Sequence, residues 1–389
     1  MNENSIYKDI AKRTGGDIYI GVVGPVRTGK STFIHKFLES AVIPNIEDDY
    51  DRTRTLDEMP QSASGKTIMT TEPKFIPDES VKIITDDGTE LNVKMIDCVG
   101  FLVEGALGSE EDGSERMVLT PWSNEEIPFK SAAEIGTSKV IGEHSTIGIL
   151  VTTDGTICDI PRENYIDAEE RAAKELREIG KPFAIILNSK EPEGEAAHAL
   201  AVSLEEKYGV PVALLNCIEI NSDDIREILR MLLCEFPNKS LTFTLPSWCS
   251  ELPSTHPLYL SVMNKIDAFT DRTEKFGDIE KTLEEFEGIR QVSLSAGEGI
   301  GKFEIPLSEE EYYSVMSEIS GLDISDKKTL LSTVIRLAKT EKEYKKIEGA
   351  LKDANEKGYG IVMPSHDKVK LEEPKVTKQA GGWGVKVSA

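Results

Sequence analysis

Over roughly the first 240 positions, short apolar runs alternate with stretches in which apolar residues recur every three or four places. The runs are Ile18 to Val23, Val81 to Thr85, Leu91 to Ile96, Thr146 to Thr152, Phe183 to Asn188 and Val212 to Asn216. Helical spacing lies between them, at Lys30 to Glu39, Ser131 to Ile141, Ala168 to Ile179 and Asp223 to Cys234. Strand-helix alternation of this kind predicts an α/β domain with a mostly parallel sheet.

The pattern breaks at Phe236-Pro237-Asn238, and Pro246, Pro253 and Pro257 extend the break. Charged helical segments follow, with one strand-like segment from Ile289 to Ile305 and a long helix expected over Lys327 to Glu356, its Glu/Lys face solvated. This second region is expected to be α+β. After Gly358 come short β-like pieces, Gly360 to Met363 and Trp383 to Val387, and no partner for the last is evident. The expected organisation is a nucleotide domain at 1–240, an α+β middle domain at 241–357 and the start of a further region at 358–389.

A chain of 389 residues exceeds one ordinary core, and 39% hydrophobic content is enough to fill two or three. Charge narrows the partners: 45 Lys+Arg against 69 Asp+Glu give a formal −24, which repels nucleic acid and anionic lipid headgroups. Five widely spaced cysteines without a C-x-x-C pair argue against a metal cluster and fit a reducing cytoplasmic compartment. The first residues form no apolar leader, and no apolar run is long enough to span a bilayer, so a soluble or peripheral protein is expected.

Directly after the first apolar run, Gly24-Pro25-Val26-Arg27-Thr28-Gly29-Lys30-Ser31 fits G-x-x-x-x-G-K-[ST] at every fixed position, between a strand and a helix as its mechanism requires. Its amides cradle phosphates, Lys30 reaches the β/γ oxygens and Ser31 offers a hydroxyl to Mg²⁺. The binding set expected from this stretch is Gly24, Arg27, Thr28, Gly29, Lys30, Ser31 and Thr32. Asp97-Cys98-Val99-Gly100 ends a later strand, placing a carboxylate for Mg²⁺ at Asp97 and a free amide for the γ-phosphate at Gly100. Thr70 and Thr71, between these motifs, occupy the place where a switch hydroxyl closes on Mg²⁺ and γ-phosphate.

Guanine selectivity in this class needs N-K-x-D after the next sheet strand. Here Asn188, itself expected to contact the nucleotide, is followed by Ser189-Lys190-Glu191, so the lysine is out of place and the carboxylate is that of a longer Glu rather than Asp, which favours adenine. The literal Asn264-Lys265-Ile266-Asp267 lies in helical spacing with no strand leading into it, and is read as a coincidence. Phe101 stands where many GTPases carry a water-orienting Gln, so turnover is expected to be slow or helped by another residue or subunit. Arg27, Arg52 and Arg54 are candidates to touch phosphate charge; Cys98 and His144 read as structural.

These motifs, together with the strings RTGGDIYIGVVG, QSASGKTIMTTEPKF, PFKSAAEIGTSKVI and EHSTIGILVTTDGTI, resemble the stage IV sporulation protein A family of spore coat morphogenetic ATPases. The resemblance implies a domain descended from translation-factor-like GTPases that binds ATP and Mg²⁺, hydrolyses ATP and assembles into a homopolymer. It also implies cytoplasmic placement in the mother cell, at the surface of the forespore outer membrane. The implied partners are a small amphipathic membrane-marking sporulation peptide and other coat morphogenetic proteins. Lys30 would bind phosphate, Asp97 would serve Mg²⁺, and Thr70 and Thr71 would sense the nucleotide. Family members are longer at the C-terminus, in a region implied in polymerisation and membrane docking, so this chain is expected to be a shortened form. A guanine-nucleotide switch and a non-catalytic nucleotide-bound scaffold are the competing readings.

Overall fold

The computed structural model describes residues 6–60, 73–85, 88–98, 100–105, 110–111, 114–120, 123–362, 370–379 and 381–388. They fall into two compact units, 1–306 and 307–389.

The first unit opens with α1 (Ile6–Thr14), β1 (Asp17–Val23), α2 (Lys30–Phe37), α3 (Asp49–Glu58), β2 (Lys74–Ile84) and β3 (Glu90–Asp97). Two short hairpins follow, β4 (Glu110–Glu111) with β5 (Ser114–Glu115) and β6 (Met117–Thr120) with β7 (Ser123–Pro128). Next come α4 (Phe129–His144), β8 (Ile147–Thr153), α5 (Ile166–Ile179), β9 (Phe183–Asn188), α6 (Glu195–Tyr208), β10 (Val212–Leu215) and α7 (Ser222–Cys234). The six-stranded sheet runs β10-β9-β8-β1-β3-β2, parallel throughout except for the antiparallel edge strand β2. Every residue of β8 and β9 is buried, as expected of central strands covered on both faces.

The chain leaves β1 toward β3 on one side and returns through β8, β9 and β10 on the other. The carboxyl end of β1 is therefore a topological switch point, where open α/β sheets leave a crevice. Register places Val22 opposite Asp97 and Val23 opposite Leu150, so the loop after β1 is flanked by the ends of β3 and β8.

The strand-like segment near residue 300 divides into β12 (Arg290–Ser295) and β13 (Ile300–Glu304), joined by a tight turn. With β11 (Ser240–Thr244) they form a three-stranded sheet, on which α8 (Pro257–Asp271) packs through Phe269, and α9 (Asp278–Glu285) follows α8 in the chain. Phe243, Phe269, Phe286 and Phe303 form its aromatic core, with ring centroids 5.2–5.7 Å apart. The composition break near Pro237 and the compact-unit boundary at Pro306 thus differ, because this small sheet packs with the nucleotide domain. Arg13 of α1 is one fastening: Nε donates to the Ala296 carbonyl (2.5 Å) and Nη1 to the Pro237 carbonyl (2.9 Å), while the guanidinium stacks on Phe236 and Phe276.

The second unit holds α10 (Glu309–Ser320), α11 (Lys327–Lys357) and the hairpin β14 (Lys375–Gln379) with β15 (Gly382–Lys386). Both helices start with capping boxes, Ser308 with Glu311 and Asp326 with Thr329. The final strand does have a partner, contrary to the sequence expectation: β15 pairs with the lysine-rich β14, a segment that reads as a charged linker by pattern. The described residues from Gly360 to Val362 form no strand.

Removing the Arg13 side chain should cost about 1–2 kcal/mol, since two charge-assisted hydrogen bonds and stem packing are lost. Urea unfolding of Arg13→Ala should show this loss, with faster amide exchange at 296–299.

Candidate functional site

The loop between β1 and α2 is shaped by three residues of positive φ, Gly24 (132°), Arg27 (67°) and Gly29 (98°). Arg27 is the only non-glycine residue with positive φ among those described, a conformation of the kind that collects at functional sites. Gly29 is the N-cap of α2 and supplies no capping side chain, so the first amides of the helix point into the crevice. A Cβ at Gly29 would lie 2.3 Å from Asn188 Nδ2.

Lys30 folds back inside this loop. Its side chain is buried, and Nζ donates to the carbonyls of Pro25 (2.8 Å) and Gly24 (3.3 Å). Burial pulls its pKa down to about 8, against an opposing pull from Asp97. Ser31 Oγ donates to Asp97 Oδ2 at 2.7 Å, so the hydroxyl and carboxylate expected to serve one cation stand together. Burial raises the Asp97 pKa, and the Ser31 hydrogen bond and the Lys30 charge counter it. Main-chain bonds stitch the two motifs: Val26 N donates to the Phe101 carbonyl (2.9 Å) and Phe101 N to the Gly24 carbonyl (3.1 Å). Gly100 is crowded into this seam, where a Cβ would meet Lys30 Nζ at 2.4 Å and Val26 N at 2.7 Å.

Residues 1–237 match the family model described as stage IV sporulation protein A, ATPase domain, and residues 239–389 match its middle domain. The chain belongs to the stage IV sporulation protein A family. It is 48% identical to stage IV sporulation protein A of Clostridioides difficile over 99% of this chain and 80% of that protein. It is 44% identical to the Bacillus anthracis relative and 43% to the Bacillus subtilis relative, each over 100% of this chain and 80% of the relative. The chain is thus a sporulation-family protein with an ATPase domain, a class that binds and hydrolyses nucleotide.

The crevice fits such a ligand: an uncapped helix N-terminus and Lys30 for phosphates, and Ser31 with Asp97 as hard oxygen donors for Mg²⁺. Thr28 is buried, with its hydroxyl on the Pro25 carbonyl (3.0 Å), while Thr32 sits half-buried in the first turn of α2. Thr70 and Thr71 lie outside the described residues.

Asn188 takes a role that its position in the sequence did not reveal. Its Nδ2 donates to the Thr28 carbonyl (2.9 Å) and its Oδ1 accepts from Cys217 N (3.0 Å), so it buckles the phosphate loop to the turn after β10. Asn264 to Asp267 are inside α8, and Lys265 caps the Glu287 carbonyl at 3.0 Å, well away from sheet chemistry. Arg52 bonds the Ile46 carbonyl and Arg54 pairs with Asp51 and Glu79, so both arginines fasten α3 locally. Phe101 is buried in the core, and Cys98 is a buried thiol whose pKa burial drives up, which leaves it inert. His144 ends α4 with its ring edge-on to Phe75. None of the five cysteines is in a disulfide. Among the described residues no helix is long and apolar enough to cross a membrane.

The lowered Lys30 pKa sets a stability slope. Between about pH 8 and 10.5 the native state holds fewer protons than the unfolded chain, so stability rises with pH across that window. Below it, the buried charge costs about 3 kcal/mol. Lys30→Met should therefore raise the urea midpoint at pH 7 and lose most of that gain by pH 10. Gly100→Ala should weaken nucleotide binding by roughly tenfold or more while the fold persists, because the seam must open by several tenths of an ångström to admit the methyl. Equilibrium titration with a fluorescent nucleotide checks it.

Proposed function

We propose that the chain is an Mg²⁺-dependent, adenine-selective ATPase whose slow turnover drives assembly of a homopolymer, the base layer of the spore coat on the forespore surface. The observation that carries the nucleotide choice is Asn188: its amide is spent on the phosphate loop and on Cys217, Ser189 stands where N-K-x-D has its lysine, and the longer Glu191 stands where it has Asp. Lys30 and the α2 N-terminus hold the phosphates, and Ser31 and Asp97 hold Mg²⁺. Thr70 and Thr71 close on the γ-phosphate as the switch, and Gly100 meets it from the other side. Arg27 shapes the loop through its left-handed backbone.

Turnover is slow because the group after Gly100 is a buried phenyl ring with no hydrogen-bonding atom to orient water. The γ-phosphate orders the switch, and hydrolysis favours a head-to-tail contact that does not close into a ring. A small amphipathic membrane-marking peptide and other coat morphogenetic proteins would bring the polymer to the membrane from the mother-cell cytoplasm. The buried Phe101 also favours a second reading, a scaffold that keeps nucleotide without turning it over.

Parallel ATP and GTP titrations, with phosphate release and light scattering followed at rising protein concentration, separate these readings. The proposal expects ATP preference, slow release and scattering that depends on hydrolysis; GTP preference contradicts it, and saturable binding without release favours the scaffold. Replacing Thr70 and Thr71 together by Ala should leave the ATP Kd within about threefold and lower kcat by at least about a hundredfold.

A further inference from the structure

The connection from β8 to α5, residues 154–161, belongs to neither sequence motif of the site. Its far end is fixed by a buried ion pair. Glu169 of α5 is fully buried and accepts from Arg162 Nη1 (2.6 Å) and Nη2 (2.9 Å), from Tyr208 OH (3.0 Å) and from Thr152 Oγ1 (2.5 Å). Arg162 Nη1 also reaches Thr152 Oγ1 (3.1 Å) and the Thr153 carbonyl (3.3 Å), the last two residues of β8. The guanidinium thus joins both ends of the connection into a closed loop. Well-packed apolar side chains of similar volume would serve stability as well as a buried pair, so what the charges add here is fixed geometry.

Between its ends the loop touches the nucleotide site twice. Cys158 Sγ lies 3.9 Å from the carbonyl of Arg27, the left-handed residue of the phosphate loop, and 2.9 Å from Tyr165 OH. Thr156 Oγ1 accepts from Lys190 N (3.0 Å), two residues beyond the Asn188 buckle, and is itself held by Asp154 Oδ1 (2.6 Å). The loop therefore spans from the phosphate-binding turn to the turn after β9.

We propose that residues 154–161 form a third wall of the nucleoside triphosphate site, and that Arg162 and Glu169 are positioning residues that hold this wall in place. This rests on the nucleotide-binding reading above. A wall that contacts the bound nucleotide equally before and during reaction contributes uniform binding, so loosening it raises KM more than it lowers kcat.

The test uses the full chain with ATP and a fluorescent ATP analogue, comparing Arg162→Ala, Glu169→Gln and Thr156→Val. Lys181→Ala serves as a stability control: Lys181 caps the carbonyls of Ile141, Gly142 and Ser145 beyond the opposite end of β8. The three wall variants should raise Kd and KM about tenfold with kcat changed less than about threefold, whereas Lys181→Ala should lower Tm alone. If Arg162→Ala and Glu169→Gln lower Tm but leave Kd and KM within about twofold, as the control does, their role is structural and the proposal is overturned. If neither folds, Thr156→Val decides, and an unchanged Kd overturns the proposal. Absence of saturable ATP binding by the unaltered chain would instead sink the nucleotide reading itself.

Discussion

One buried ammonium governs this site. Lys30 is enclosed by its own loop, held by the Pro25 and Gly24 carbonyls, beside the uncapped N-terminus of α2 and within reach of the Asp97 field. Positive potential concentrated in a desolvated crevice is expensive for a fold and favourable for a polyanion. The neighbouring features follow from keeping that crevice tight. Gly100 has no side chain because Nζ occupies the space, Phe101 bonds the loop through its backbone while its ring fills the core, and Asn188 spends both ends of its amide on closure.

The same constraint explains why base selectivity and loop architecture are linked. In a guanine reader the Asn is one of three cooperating residues; here Asn188 remains as a structural buckle, while Ser189, Lys190 and Glu191 serve other contacts. Lys190 offers its amide to Thr156, and Glu191 its amide to Ser189 Oγ. The buckle is retained because the loop needs it, irrespective of the base.

Much of this was legible from the chain alone, and the reasons differ by element. The central strands announced themselves because they are buried on both faces and read as continuous apolar runs; β9 matches its run from Phe183 to Asn188 residue for residue. The phosphate loop and Asp97 were legible because their chemistry fixes residue type and spacing together. Other features left little trace. Helix α1 buries only Ile6 and Ile10, too few to show a period, and α6 is alanine-rich with a weak apolar face. The partner of the last strand was hidden because β14 reads Lys-Val-Thr-Lys-Gln, as polar as a linker. The Arg162–Glu169 pair could not be seen at all: a charged residue in an amphipathic helix reads as solvated, and only tertiary packing turns Glu169 inward. The Arg13 fastening was hidden for a related reason, since it ties the first helix to a turn nearly three hundred residues away.

The central claim is that the buried Lys30 is poised for a polyphosphate, and the most direct measurement counts protons. Calorimetric titration with ATP and Mg²⁺ in buffers of different ionisation enthalpy gives the protons exchanged on binding. With the free-state pKa near 8, binding above that pH should draw in a proton, approaching about one by pH 9, and affinity should weaken as pH rises further. Binding at pH 9 with no proton uptake and an affinity equal to that at pH 7 would contradict the account.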